Sequence, residues 1–248
     1  MKNKGIELYD IPAWKRALDI TCIVLALPVL LPVALVISMI IWFASPGPVF
    51  YVNERVGYRG QKFICIKFRT MKVNADVGIH QKHLANLIKS DAPMTKIDSK
   101  GDPRIIPFGS FLRATGLDEL PQLLNVLHGQ MSIVGPRPCL PYEYDNYVPA
   151  QKRRFNSLPG LTGLWQVSGK NKTSFSEMIA LDIQYTEMNS LWLDLKIMFK
   201  TVPALLGQVL EIKLAENRQG PAKNPAAAPT AIRIETPIGV EPQLVGQK

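Results

Sequence analysis

ITCIVLALPVLLPVALVISMIIWFA, residues 20–44, holds no charged side chain, and only the hydroxyls of Thr21 and Ser38 interrupt its apolar run. About 20 apolar residues in a helix span the hydrocarbon core of a bilayer, so this stretch decides that the chain meets a membrane. The run is too long for the apolar part of a cleaved leader, and no small-residue cleavage site follows it before Pro46 and Pro48. Pro28 and Pro32 stand near its middle. Each removes a backbone donor and crowds the preceding turn, so a sharp bend is expected there. Lys2, Lys4, Lys15 and Arg16 precede the run, and Arg55, Arg59, Lys62, Lys67, Arg69 and Lys72 follow it. Basic flanks prefer the cytoplasm, and here both ends are basic. Two arrangements fit: a re-entrant helical hairpin that enters near Lys15, turns near Pro28 and returns near Ala44, or an ordinary kinked anchor.

Outward from this segment the chain divides into residues 1–45, a soluble part at 46–214, and a tail at 215–248. With 248 residues it can bury a sizeable core. Its 29 Lys and Arg against 20 Asp and Glu give +9, which calls for an anionic partner: nucleic acid, a lipid surface or a phosphorylated substrate. Cys22, Cys65 and Cys139 are far apart and read as isolated thiols. His80 and His83 would share a helix face, but no third ligand completes a metal set near them, and a solvated face is the simpler account.

Alternation from Val49 to Phe68 predicts a β-hairpin turning at Gly57-Tyr58-Arg59-Gly60, with Lys67 and Arg69 on one side of the strand. Residues Asp76 to Lys89 read as a polar helix and Ala92 to Asp102 as a loop. Leu120, Leu123, Leu124 and Leu127 predict a helix from Asp118 to His128, stopped by Gly129. Pro159 to Gly163 read as a turn into a short strand, Leu164 to Ser168. Ser174 and Glu177 form a capping box that opens a helix to about Met188. A last helix, from about Leu191 to about Leu214 and bent by Pro203, suits either the membrane interface or packing on the soluble part. After Ala215 five prolines and an Ala-Pro-rich run give no period, and a disordered tail is expected. The fold class is α+β, mainly helical.

The chemistry points to Asp118 and Glu119. Arginines at positions 104, 113 and 137 lie before and after them in sequence, as a phosphate-handling site requires. Neighbouring helix residues point about a third of a turn apart, since a turn holds roughly 3.6 residues. The two carboxylates therefore suit separate tasks better than sharing a proton. The simpler account is that Asp118 caps a helix.

Asp102-Pro103-Arg104, Arg113, Leu117-Asp118-Glu119-Leu120-Pro121-Gln122 and Ser132-Ile133-Val134-Gly135-Pro136-Arg137-Pro138 together resemble the bacterial sugar transferases, small membrane-embedded phosphoglycosyl transferases. The resemblance runs from about Lys15 to about Lys200. It implies a monotopic enzyme of the bacterial inner (cytoplasmic) membrane, with its catalytic part on the cytoplasmic face and interfacial amphipathic helices. It also implies that Asp118 attacks the sugar-bearing phosphorus of a UDP-sugar and releases UMP. Glu119 then assists transfer of the phosphosugar to undecaprenyl (polyprenyl) phosphate. Arg113 matches the family's arginine at that spacing, and Lys67, Arg69 and Arg137 match its cationic positions. For each of these four a solvated or headgroup cation is the competing account. Mg²⁺ is the implied ion, held by Asp118 and the substrate phosphates. Asp182 and Asp194 fall in matching segments and would support the site from behind, though a surface carboxylate is simpler for Asp194.

Two positions depart from the family. Leu27 precedes the bend proline Pro28 where relatives carry Ser, and Lys170 stands where they carry Arg, which keeps the charge but loses the bidentate fork. No Asp-x-Asp pair, dinucleotide loop or P-loop appears, which argues against those enzyme classes. No basic helix is interleaved with aromatics, so nucleic acid is not the expected partner. A non-catalytic basic membrane-surface scaffold fits the charge equally well, but leaves the cluster of Arg113, Asp118, Glu119 and Arg137 without a reason. The sugar, the pathway and a homo-oligomeric state are left open.

Overall fold

The computed structural model describes residues 11–73, 86, 87, 90–94 and 102–218. The helix read between Asp76 and Lys89, His80, His83, the loop after Ala92 and the tail beyond residue 218 lie outside these, wholly or for the most part.

Residues Ala13–Ala44 form one helix, α1, with Pro28 and Pro32 inside it. Helical structure continues on both sides of each proline, and the bend that an interior proline imposes leaves the helix unbroken. The helix stops where Pro46 forces Ser45 into extended backbone, φ −155° and ψ 126°. Both ends of α1 are buried and its middle is not. Ile23 packs with Phe63, Cys65, Val126 and Met131, and Ile37 and Ile41 pack with Phe68, Ile106 and Leu112. Between them Leu25 is 75% exposed and Val29 67%. Among the described residues α1 is the helix long and apolar enough to cross a membrane.

Two buried cations fasten α1. Near its start the Lys15 ammonium donates to Asp194 at 2.5 Å, the Val134 carbonyl at 2.8 Å and the Tyr185 hydroxyl at 2.9 Å. Just past its end the Arg69 guanidinium donates to the carbonyls of Ser45 and Pro46 at 2.7 and 2.8 Å. Asp194 is fully buried in the first of these contacts, which corrects its reading as a surface carboxylate.

Strands β1, Phe50–Val56, and β2, Lys62–Phe68, pair as the expected antiparallel hairpin, with Tyr51 opposite Lys67 and Arg55 opposite Phe63. The other edge of β2 is closed by a side chain. Asn125 accepts from the Ile66 N–H at 3.2 Å and donates to the Ile64 carbonyl at 2.7 Å, standing in for a third strand. Helix α2, Gly109–Thr115, ends at Gly116, whose φ of 73° is the left-handed conformation that stops helices.

The expected helix from Asp118 is in two parts: a 3₁₀ helix, Leu117–Gln122, and a turn of α-helix, α3, Leu123–Leu127. Pro121 lies inside the first part and has no N–H with which to continue an α-helical ladder. Its inward residues are Asp118, Pro121, Gln122, Asn125 and Val126, whereas Leu124 and Leu127 are exposed, so the leucine periodicity does not mark the core here.

Strand β3, Ser132–Val134, pairs in parallel with β4, Gly160–Thr162. The strand therefore occupies the predicted turn, and Leu164–Val167, read as a strand, is a helical turn, α5. Glycine permits this crossing. A Cβ on Gly160 would lie 2.1 Å from the Gly135 nitrogen, and one on Gly135 would lie 2.2 Å from the Leu158 carbonyl oxygen. Helix α4, Pro141–Asp145, precedes these strands' second half, and α6, Phe175–Met188, starts at the predicted capping box. The last helix, α7, Leu191–Arg218, runs past the predicted end and continues through Pro203. Its inward side carries Asp194 and Ile197, while Trp192, Phe199, Val202, Leu206 and Leu210 are exposed.

Candidate active site

The hairpin, the 3₁₀ helix and the loop after β3 meet at two carboxylates. Gly116 reverses the chain after α2 and delivers Asp118 and Glu119 into the first turn of the following helix. Asp118 is 8% exposed. Glu119 is half-buried and accepts from the Lys67 ammonium at 2.8 Å. The 3₁₀ helix is only six residues long, so the positive field here comes from side chains more than from a helix dipole. Burial opposes ionisation of Glu119, but Lys67, Lys170 and Arg137 outweigh it and hold the carboxyl below its ordinary value.

Lys170 sits in a left-handed turn, φ 43°, just after Gly169. Burial lowers its pKa, and both Glu119 and Asp118 pull it back up. Lys170, where the resemblance expects arginine, therefore lies within the field of both carboxylates. Arg137, on the loop after β3, is steered by Glu143 at 3.4 Å. Burial disfavours its charge, yet Glu143 and Tyr147 hold its pKa above the ordinary value.

Behind Arg137 lies a buried network. Asp182 on α6 accepts from Arg154 at 2.5 Å, with both side chains essentially inaccessible. Arg154 donates onward to the Arg137 carbonyl at 2.8 Å and the Tyr147 hydroxyl at 2.9 Å. Burial pushes the Asp182 carboxyl up to about 6, against the pull of Arg154. Asp182 thus reaches the site through Arg154 and the backbone of Arg137.

One predicted cation, Arg69, is held away from the carboxylates. Arg69 is 4% exposed and holds the carbonyls at the end of α1, where it orients the helix. Alternation with Lys67 does not bring it to the carboxylates, because β2 ends at Phe68. Arg113 lies in the last turn of α2, and its field reaches Asp102. Asp102 itself is chelated by Arg104, at 2.6 Å to one oxygen, and that contact holds its carboxyl at about 2. Pro28 stands exposed in the middle of α1. Sequence reasoning missed Arg154, Glu143 and Tyr147. Arg154 reads as part of a surface run beside Lys152 and Arg153, and no local pattern marks it for burial.

Among the described residues no three His, Cys, Asp or Glu side chains gather as a metal cage. Asp118, with Glu119 beside it, nonetheless suits a hard cation of the Mg²⁺ type, which takes one or two carboxylates and completes its shell from water and substrate phosphates.

The family model for bacterial sugar transferases matches residues 11–208. The chain is 43% identical over 191 residues to an exopolysaccharide production protein of Sinorhizobium fredii, covering 77% of this chain and 84% of that one. It is 40% identical to a UDP-glucose:undecaprenyl-phosphate glucose-1-phosphate transferase of Caulobacter vibrioides, across 77% and 69% of the two chains. An undecaprenyl-phosphate galactose phosphotransferase of Salmonella typhimurium is 38% identical across 77% of this chain but only 40% of its own length.

Proposed function

The chain belongs to the bacterial sugar transferase family, and from that premise we propose that it transfers a sugar 1-phosphate from a UDP-sugar to undecaprenyl phosphate through a phosphosugar bound to Asp118. That it is a membrane-associated phosphoglycosyl transferase follows from the family and from the exposed apolar middle of α1. The donor, the intermediate and the released nucleotide are our reading. The observation that carries it is the division between the two carboxylates: Asp118 is enclosed, and Glu119 is held by Lys67.

In the first half-reaction an Asp118 oxygen attacks the sugar-bearing phosphorus, an oxygen–phosphorus bond forms, and UMP leaves with the electron pair of the broken diphosphate bond. Lys67, Lys170 and Arg137 surround the carboxylates and offset charge on the transferring phosphoryl group. In the second half-reaction an oxygen of the lipid phosphate attacks the same phosphorus, and the Asp118 carboxylate leaves. Glu119, kept ionised by its cations, takes the proton of the incoming phosphate. Two easier displacements replace one difficult transfer. Mg²⁺, held by Asp118 and the substrate phosphates, would supply further charge neutralisation.

The membrane arrangement we propose is re-entrant, at the inner membrane with the catalytic part on the cytoplasmic face. Its support is that both ends of α1 dock on one soluble body while the middle stands clear of it. The exposed row on α7, Trp192, Phe199, Leu206 and Leu210, suits the headgroup region. The first step of an exopolysaccharide or related glycan is the corresponding role.

Incubating protein in lipid nanodiscs with UDP-sugars and no lipid acceptor tests the intermediate. One equivalent of UMP at most should appear with the correct sugar, together with a mass increase mapping to the peptide of Asp118. UMP release that never appears without acceptor would favour a direct transfer instead.

A further inference from the structure

Arg55 has so far had no role. It lies on β1 opposite Phe63, and partners across an antiparallel ladder share a face with every second residue along it. Arg55, Asn53 and Tyr51 are thus on the face of the hairpin that carries Cys65 and Lys67, and Lys67 is bonded to Glu119. At the far end of that face the Arg55 guanidinium donates to the Pro138 carbonyl at 3.2 Å. With the Asn53 amide turned to present its oxygen, that oxygen accepts from Nε and Nη2 of Arg55 at 3.0 and 3.1 Å. These acceptors are neutral. They fix the guanidinium without cancelling its charge, and they hold it next to Pro138, the neighbour of Arg137. The nearby carboxylate, Glu143, is already shared by Arg137 and Tyr147, each at 3.4 Å. Burial and the field of Arg137 lower the pKa of Arg55, and Glu143, already paired with Arg137, offsets this only in part.

We propose that Arg55 binds the diphosphate of the nucleotide donor, forming with Arg137 a two-guanidinium cradle on the water-facing end of the hairpin. The proposal rests on the nucleotide-sugar reading above. Planar guanidiniums bind phosphate oxygens in pairs, and with Glu143 opposite Arg137 the two guanidiniums still carry an excess of positive charge that suits a diphosphate. Position separates donor from lipid. The membrane end of the hairpin is marked by α1 ending at Ala44 and by exposed Phe50, Tyr51 and Val52. Lys67 is opposite Tyr51, at that end. Arg55 is four residues farther along β1, about 13 Å away at the usual rise of a strand. The transferred phosphorus sits at Asp118, near Lys67, for both substrates, and only the donor extends from it, through its nucleotide phosphate, toward the Arg55 end.

The test measures binding of inorganic pyrophosphate and of UDP to the full chain in nanodiscs, and KM for the UDP-sugar and for undecaprenyl phosphate, in wild type, Arg55→Gln and Arg55→Lys. We expect Arg55→Gln to weaken pyrophosphate and UDP tenfold or more and to raise the donor KM by a similar factor. The lipid KM should stay within twofold, and Arg55→Lys should recover part of the loss. Unchanged pyrophosphate binding in Arg55→Gln, with melting temperature preserved, overturns the proposal, as does a rise confined to the lipid KM. A melting temperature that falls with no selective change in either KM makes Arg55 a prop for Pro138 and also overturns it. If wild type binds pyrophosphate but no uridine nucleotide, and Arg55→Gln loses the pyrophosphate, Arg55 stands and the uridine donor falls.

Discussion

Removing the Asp182 carboxylate leaves Arg154 as a charged guanidinium inside the protein, because both side chains are sealed from water. Breaking one partner of such a pair costs about 3–5 kcal/mol, whereas replacing both by apolar groups is often close to neutral. Asp182→Asn should therefore lower stability by about that amount in chemical denaturation. Asp182→Leu with Arg154→Met should recover most of it. Transfer activity should stay low in the double variant, since the Arg137 carbonyl loses its donor at 2.8 Å. If the double variant restores transfer as well as stability, the pair is only a packing device. Asp118, Glu119 and Lys67 were singled out by resemblance to the family, since the charges alone suit a capped helix, and the structure pairs Lys67 with Glu119. The partners of Arg69 and Asp194 were not legible: one is captured by carbonyls that only the end of α1 supplies, the other by Lys15 from 179 residues away.

At the scale of elements the hairpin, the capping box and the long apolar helix could be read in advance, since period and turn residues are local properties. What failed was local geometry decided by tertiary partners. Pro121 tightens the segment of Asp118, and Gly135 with Gly160 lets two backbones cross as β3 and β4. Gly135→Ala should cost about 1–3 kcal/mol, the range for overpacking a filled site. It should also raise the donor KM, because the displaced loop carries Arg137. A melting curve and steady-state kinetics check both, and an unshifted melting temperature would contradict the crossing. For α1, docking of both ends on one body predicts that Ala13→Cys and Pro48→Cys, in a Cys22→Ser background, react with an impermeant thiol reagent from the same side of sealed vesicles. Labelling from opposite sides would make α1 a spanning helix.

The whole chain carries an excess of nine positive charges, and it exposes Trp42, Phe43, Trp192 and Phe199. Charge and apolar exposure together bring the chain to anionic lipid, and α1 fixes it there. In the re-entrant arrangement proposed above, the soluble body would present Asp118 to a phosphate anchored in the same leaflet. The measurement that bears most directly on this account is transfer of labelled sugar 1-phosphate from a UDP-sugar to undecaprenyl phosphate in nanodiscs, by wild type and by Asp118→Asn. The account predicts label in the lipid with wild type, and a loss of at least a thousandfold in Asp118→Asn that remains membrane-bound and folded, on the order of the losses seen when a catalytic nucleophile is removed. Transfer at the wild-type rate by Asp118→Asn would contradict it.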